Sequence, residues 1–373
     1  MHLLPMSGGQ TRHVITLGQP FQAEFLDNVR CFDIACIDTD KYTSSYSSSR
    51  SNVATVRGDR TRRKERKKWL QRVGIASQNM TKLTFSRQTR NECNIKKHRR
   101  GPKHRQVIAQ FIRDFGVHAA DFDTTCISSL PSSSNCSEDD YFSRNLSTSN
   151  LTFLKKQLRH LLNRFVLFSP ATCRTLFGPF AKLKATHIRG KRTTVGAILD
   201  RANVPIENKK RWFVLLSRLA PVDYHRVHSP VTGKILSIMT IKNRDAYSVD
   251  PQIVRNSAIN VFVHNHRIVI TIAILDMDAK RVLGPIVYVV IVGATCVNSI
   301  QLSNLRMHQI IHVGDELAIF HYGGSTVLTL FVPPEPETVR NKTHMSLVTN
   351  LAYKYETYLE VGVPVLSKKI IHY

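Results

Sequence analysis

Acid is what this sequence is short of. Only 27 Asp and Glu stand against 53 Lys and Arg, a formal net charge of +26. A surplus of that size has to meet anions, and the common candidates are nucleic acid and an acidic membrane surface. Long hydrophobic runs are missing too. No stretch approaches the roughly 18 apolar residues that span a bilayer. The longest, residues 285–294, is rich in Val and Ile and reads as a buried strand. The N-terminus has no clean signal-peptide core, although Arg12 with no acid before Glu24 leaves an organellar presequence open. The seven cysteines form no CxxC pair, which removes the zinc-ribbon and redox-motif readings. Reduced thiols in an intracellular compartment are expected instead. No metal site is expected either, because His225 and His228, even with His264 and His266, lack the acid or cysteine spacing of a zinc centre.

What is present divides the chain into three. Residues 1–58 show little periodicity, include a Ser/Tyr-rich stretch, and read as a poorly ordered N-terminal extension. Residues 59–164 form a basic and helical region. It has cationic runs at 60–72 and 96–105, then a 3/4-spaced apolar pattern through Val107, Ile108, Phe111, Ile112 and Phe115. From 165 to 373 the texture changes to short Val- and Ile-rich runs cut by Gly, Pro and Asn, examples being 267–275, 286–292 and 326–332. A helix is expected near the end, over 346–359. The fold class is α+β: a β-rich domain preceded by N-terminal helices.

Four segments of the C-terminal half carry a more specific signal. They are PVDYHRVHSPVTG at 221–233, NHRIV at 265–269, VGATCVNSI at 292–300 and GGST at 323–326. Weaker ones are 108–123, YFSR at 141–144 and ETYLEVG at 356–362. In order and spacing they resemble the phosphatidylserine decarboxylase family, in its eukaryotic non-mitochondrial branch, over roughly residues 66–373. A lone GST tripeptide would mean nothing; the histidine segment followed by GGST is specific.

The resemblance implies a chemistry. Decarboxylating an amino-acid head group needs an electron sink, either pyridoxal phosphate or a pyruvoyl carbonyl. A chain makes its own pyruvoyl when a serine hydroxyl attacks the preceding carbonyl and the resulting ester eliminates. Ser325 is then the nucleophile and pyruvoyl precursor, and Gly324 the unhindered residue before it. Cleavage leaves a β chain ending at Gly324 and an α chain beginning at the modified Ser325. His228 is implied as the base that activates Ser325, and His225 as a substrate-side helper.

The sequence departs from the family at two places. The family's triad aspartate follows Ser-Pro-Ala, where this chain has Thr172 in SPATCR. A hydroxyl orients a histidine but supplies no charge, and a neutral group at a triad aspartate costs roughly 10⁴-fold in rate. Asn298 stands where the family has glycine. The expected function is conversion of phosphatidylserine to phosphatidylethanolamine and CO2. The alternative is a non-cleaving, catalytically degenerate homologue that binds lipid or a partner. The expected partners are phosphatidylserine, an anionic membrane surface met by the basic runs, and the precursor's own β and α chains. No nucleic-acid-binding module is recognisable around those runs. The expected location is intracellular and peripheral to a membrane, with an endomembrane favoured over the mitochondrion.

Overall fold

A strand that is apolar on both faces is buried only if something packs against each face. Residues 267–275 read RIVITIAIL, and all nine are buried in strand β6 (Arg267–Leu275). Ile268, Ile270, Ile272 and Ile274 enter one hydrophobic cluster, while Val269 enters a second on the opposite face. The same alternation runs along β7 (Val282–Gly293), with Val287, Val289 and Ile291 on one side and Tyr288, Val290 and Val292 on the other. In β11 (Ser325–Phe331), Val327 and Phe331 join the first cluster and Leu328 and Leu330 the second. The period of two therefore builds a central sheet with a core on each side.

The computed structural model describes residues 106, 108–110, 112, 122–123, 137–161, 165–181, 183, 194–200, 212–220, 222–242, 247, 260–275, 282–294, 300–321, 325–332, 343–347 and 356–370. The extension at 1–58, the basic runs, Cys296, Asn298, Gly323 and Gly324 lie outside them. The other strands are β1 (Phe165–Phe168), β2 (Cys173–Pro179), β3 (Phe213–Leu219), β4 (Arg226–His228), β5 (Gly233–Ile241), β8 (Ile300–Leu302), β9 (Ile310–Ile311), β10 (Glu316–Phe320), β12 (Thr343–Leu347), β13 (Thr357–Leu359) and β14 (Pro364–Ile370). Eight of the strands form the central antiparallel sheet in the order β13-β2-β3-β11-β7-β6-β5-β9. Two three-stranded sheets, β1-β14-β12 and β4-β10-β8, accompany it.

Helices are few among the described residues. α1 (Glu138–Phe142) starts on a capping box in which Ser137 and Asp140 each serve the other's backbone amide. α2 (Thr148–Leu161) sends Leu154 and Leu158 into the first cluster, as α1 sends Tyr141 and Phe142. α3 (Val195–Leu199) and α4 (Val261–His264) cover the second. The described residues within 106–112 are helical, in line with the 3/4 pattern there. None of the described helices is long and apolar enough to cross a membrane.

The expected helix over 346–359 is corrected at both ends. Ser346 and Leu347 lie in β12, opposite Ser367 and Leu366 of β14, and Thr357–Leu359 form β13 against β2. Tertiary strand pairing overrides local helix propensity there.

Arg267 is buried, and among the described residues no salt bridge ties it to a carboxylate. Its guanidinium donates instead to the carbonyls of Ala197 and Ile198 at the end of α3, and of Val263 and Asn265 at the end of α4. One side chain thus satisfies the carbonyls that two helix ends leave open. Replacing Arg267 by Met strands several buried acceptors, and we expect a loss of about 3 kcal/mol, read as a lower denaturation midpoint in urea.

Candidate active site

Ser325 begins β11, the strand held between β3 and β7, and lies opposite Leu219 on one side and Gly293 on the other. It is fully buried, and among the described residues its Oγ has no hydrogen-bond partner. A buried hydroxyl without a partner is costly, a state that Ser325 shares with Thr329 of the same strand. Opposite it, a Cβ added at Gly293 would make ordinary contacts, 3.4 Å from Ile300 Cδ1 and 3.5 Å from the His266 carbonyl oxygen.

The histidine segment follows directly from β3. Leu219, the partner of Ser325, leads into a turn closed by the Asp223 amide on the Ala220 carbonyl at 2.8 Å. The Asp223 carboxylate accepts from the Ala220 amide and from Arg174, both at 2.6 Å. Burial pushes this carboxyl above its usual range, against the opposing pull of Arg174 and the Ala220 amide. His225 follows, with Nδ1 donating to the Asp223 carbonyl at 2.8 Å and its ring 3.6 Å from that of Phe142. β4 then pairs with β10, placing His228 opposite Glu316. The amide of Phe320, the last residue of β10, donates to the His225 carbonyl at 2.9 Å. The chain running on from Phe320 reaches Ser325 through residues 321–324, so one connection ties the histidine segment to the serine.

Both imidazoles are buried and neutral. Burial drives the His225 pKa well down, and the nearby Arg144 guanidinium pushes the same way. Burial also lowers that of His228, against the hydrogen bond to Gly314 and the pull of Glu316. His228 Nδ1 donates to the Gly314 carbonyl at 2.8 Å, and Nε2 lies 3.0 Å from the Tyr224 hydroxyl.

The 169–172 segment runs beside this ring. The His228 amide donates to the Pro170 carbonyl at 2.8 Å. The Thr172 hydroxyl, half-buried, accepts from the Val361 amide at 3.3 Å rather than meeting an imidazole. Asp223 does not replace the missing acid at His228, since its carboxylate is occupied by Arg174 and it offers His225 only its main-chain oxygen. Neither histidine ring hydrogen-bonds a carboxylate among the described residues. The resemblance had assigned no role to several residues that hold this arrangement. Arg144 donates to the Tyr141, Val222 and Asp223 carbonyls, locking α1 to the loop before His225. Tyr224, Arg144 and Arg174 sat inside quoted segments; Gly314 carried no signal of its own.

The two depressed histidines make stability depend on pH. An unfolded histidine titrates near pH ~6.5, so their contribution is complete above that value and is lost as pH falls toward the folded values. Each adds a slope of about 1.4 kcal/mol per pH unit in that window. His266, lowered by burial as well, acts with the same sign. Urea midpoints should therefore fall as pH drops below ~6.5, and a His225→Asn, His228→Asn double variant should show a flatter profile.

Comparison with known proteins gives this arrangement a family. The family model for phosphatidylserine decarboxylase matches residues 150–350. Phosphatidylserine decarboxylase proenzyme 2 of Komagataella phaffii is 35% identical over 208 residues, 54% of this chain and 19% of that protein. The proenzyme 2 of Saccharomyces cerevisiae is 31% identical over 204 residues, 54% of this chain and 17% of that protein. The phosphatidylserine decarboxylase proenzyme of Clostridium botulinum strain 657 is 28% identical over 267 residues, 71% of this chain and 80% of that protein. The matches thus cover about a fifth of the length of these fungal relatives and most of the bacterial one. With its histidine segment and buried serine set as described and more than half its length matched, this chain belongs to the phosphatidylserine decarboxylase family.

Proposed function

We propose that the chain is a phosphatidylserine decarboxylase proenzyme that cuts itself between Gly324 and Ser325 and converts phosphatidylserine to phosphatidylethanolamine and CO2. The observation that carries this reading is the buried, unpartnered Oγ of Ser325 at the head of β11. That hydroxyl has no structural contact to lose, which suits a residue whose side chain is consumed.

In the proposed maturation, His228 takes the Ser325 hydroxyl proton and Oγ attacks the Gly324 carbonyl carbon. The peptide C–N bond breaks, the proton goes to the freed amine, and an ester links Gly324 to Oγ. Loss of the Ser325 α-proton then expels the Gly324 carboxylate and leaves dehydroalanine. Addition of water and release of ammonia yield the pyruvoyl group, at the new N-terminus of the α chain. When present, the pyruvoyl carbonyl supplies the electron sink for loss of CO2. His225, held through Nδ1, keeps Nε2 as an acceptor and is suited to take up a proton from the incoming amine and return it after CO2 leaves. A membrane surface rich in anionic lipid is the proposed place of work, met by the basic runs at 60–72 and 96–105 at about 1 kcal/mol per cation.

Thr172 sets the expected rate. Neutral anchors on both nitrogens of His228 favour imidazole over imidazolium, so self-cleavage should be slow. Intact mass spectrometry of the purified chain beside a Ser325→Ala control tests the function. Two chains split after Gly324, the smaller one bearing an N-terminal pyruvoyl absent from the control, are expected. A single uncut chain after long incubation would overturn the reading in favour of a non-cleaving homologue. Thr172→Asp should accelerate the split, by up to about 10⁴-fold.

A further inference from the structure

The imidazole of His228 is held at both nitrogens by groups that carry no charge. A carbonyl oxygen only accepts, so the 2.8 Å contact with Gly314 places the ring proton on Nδ1. That leaves the lone pair on Nε2, and the Tyr224 hydroxyl 3.0 Å away must donate to it. Donation therefore runs one way, from Tyr224 to Nε2 and from Nδ1 to Gly314.

Each anchor is set by packing. Tyr224 is buried, its ring 5.6 Å from that of His228 and 6.1 Å from Phe122. Gly314 sits at φ +86, and a Cβ there would come 2.5 Å from Leu158 Cδ1 of α2. The charged groups facing the ring are more distant and are themselves paired. Glu316 on β10 pairs with Arg226 on β4 at 2.8 Å, and Lys155 on α2 pairs with Asp315 at 3.4 Å.

We propose that Tyr224 is a positioning residue whose hydroxyl occupies the Nε2 lone pair of His228 and restrains it from accepting the Ser325 proton. The catalytic half of this inference rests on the self-cleavage reading above; the hydrogen-bond half does not. Nε2 has one lone pair, so it accepts from Tyr224 or from Ser325 and not fully from both. Protonating Nε2 would point two hydrogens at each other unless Tyr224 turns away. The folded precursor thus holds its base in reserve, and the unpartnered Ser325 hydroxyl is the other side of that restraint.

The test uses the full-length chain. Histidine-selective ¹⁵N NMR of the Ser325→Ala precursor, with and without Tyr224→Phe, reads the ring directly, His228 being assigned with His228→Asn. Expected in the Tyr224-containing precursor is a protonated Nδ1 and an Nε2 shifted by an accepted hydrogen bond. In Tyr224→Phe the Nε2 signal should move to that of a free lone pair, and His228 should bind its proton about three- to tenfold more tightly, the strength of one hydrogen bond. With Ser325 restored, Tyr224→Phe should cut itself faster by a similar factor.

An unmoved Nε2 signal overturns the proposal, and so does a proton found on Nε2 in the Ser325→Ala precursor, a reading that needs no change at Tyr224. A moved signal with unchanged or slower cleavage overturns the restraint and makes Tyr224 an assistant instead. A moved signal with no cleavage in either chain supports the hydrogen-bond assignment and sinks the self-cleavage reading.

Discussion

Burial of β11 on both faces is the constraint from which the rest follows. With β3 and β7 on its flanks and an apolar cluster above and below, the strand cannot admit water along its length. Its first residue is a serine, so a hydroxyl is carried into a region where only protein groups could serve it. The neighbouring strands offer it Leu219 and Gly293, which have no polar side chain. The same exclusion of water acts on the histidine segment that follows β3. Desolvation there outweighs the opposing hydrogen bonds and leaves both imidazoles neutral. A buried serine hydroxyl and two buried, uncharged imidazoles thus have a single origin, the packing of one sheet.

Charge close by is ion-paired or hydrogen-bonded. Asp223 is matched by Arg174 and by the Ala220 amide, and Arg144 is spent on three carbonyls with its guanidinium over the rings of Phe122 and Tyr141. Removing one partner of such a set leaves the other stranded in low dielectric, which is why buried pairs cost more to break than they contribute when intact. Asp223 is therefore committed to holding the turn before His225, and the same commitment keeps it from replacing an acid at His228.

Much of this was legible in the residues. β6, β7 and β11 were readable because doubly buried strands need runs rich in Val, Ile and Leu, and six of the nine residues at 267–275 are of these types. Ser325, His225 and His228 were found through motif order rather than through any local property of their own. The stretch 346–359 misled because its propensities are local while its strand pairing is not; its partners in β14 and β2 lie elsewhere in the chain. Gly314 was invisible for a related reason. It acts through a main-chain atom, which every residue possesses, so no side-chain pattern could single it out. Arg267 shows the reverse case: a basic residue inside an apolar strand is visible, but its acceptors are helix-end carbonyls that appear only in the fold.

The hydroxyl at position 172 takes on its meaning from the number of times the base must act. On the proposed function, His228 activates Ser325 once in the life of each molecule, whereas decarboxylation repeats. A rate lost in the first step delays the appearance of the enzyme, while a rate lost in the second lowers every turnover. A carboxylate beside His228 would favour the imidazolium and hasten the single event, yet it would also bring a further charge into the dry space where a carboxylate substrate is to be received. Thr172, turned toward the Val361 amide, adds no such charge. Neutral anchors at both nitrogens therefore slow maturation and spare the finished site a buried anion.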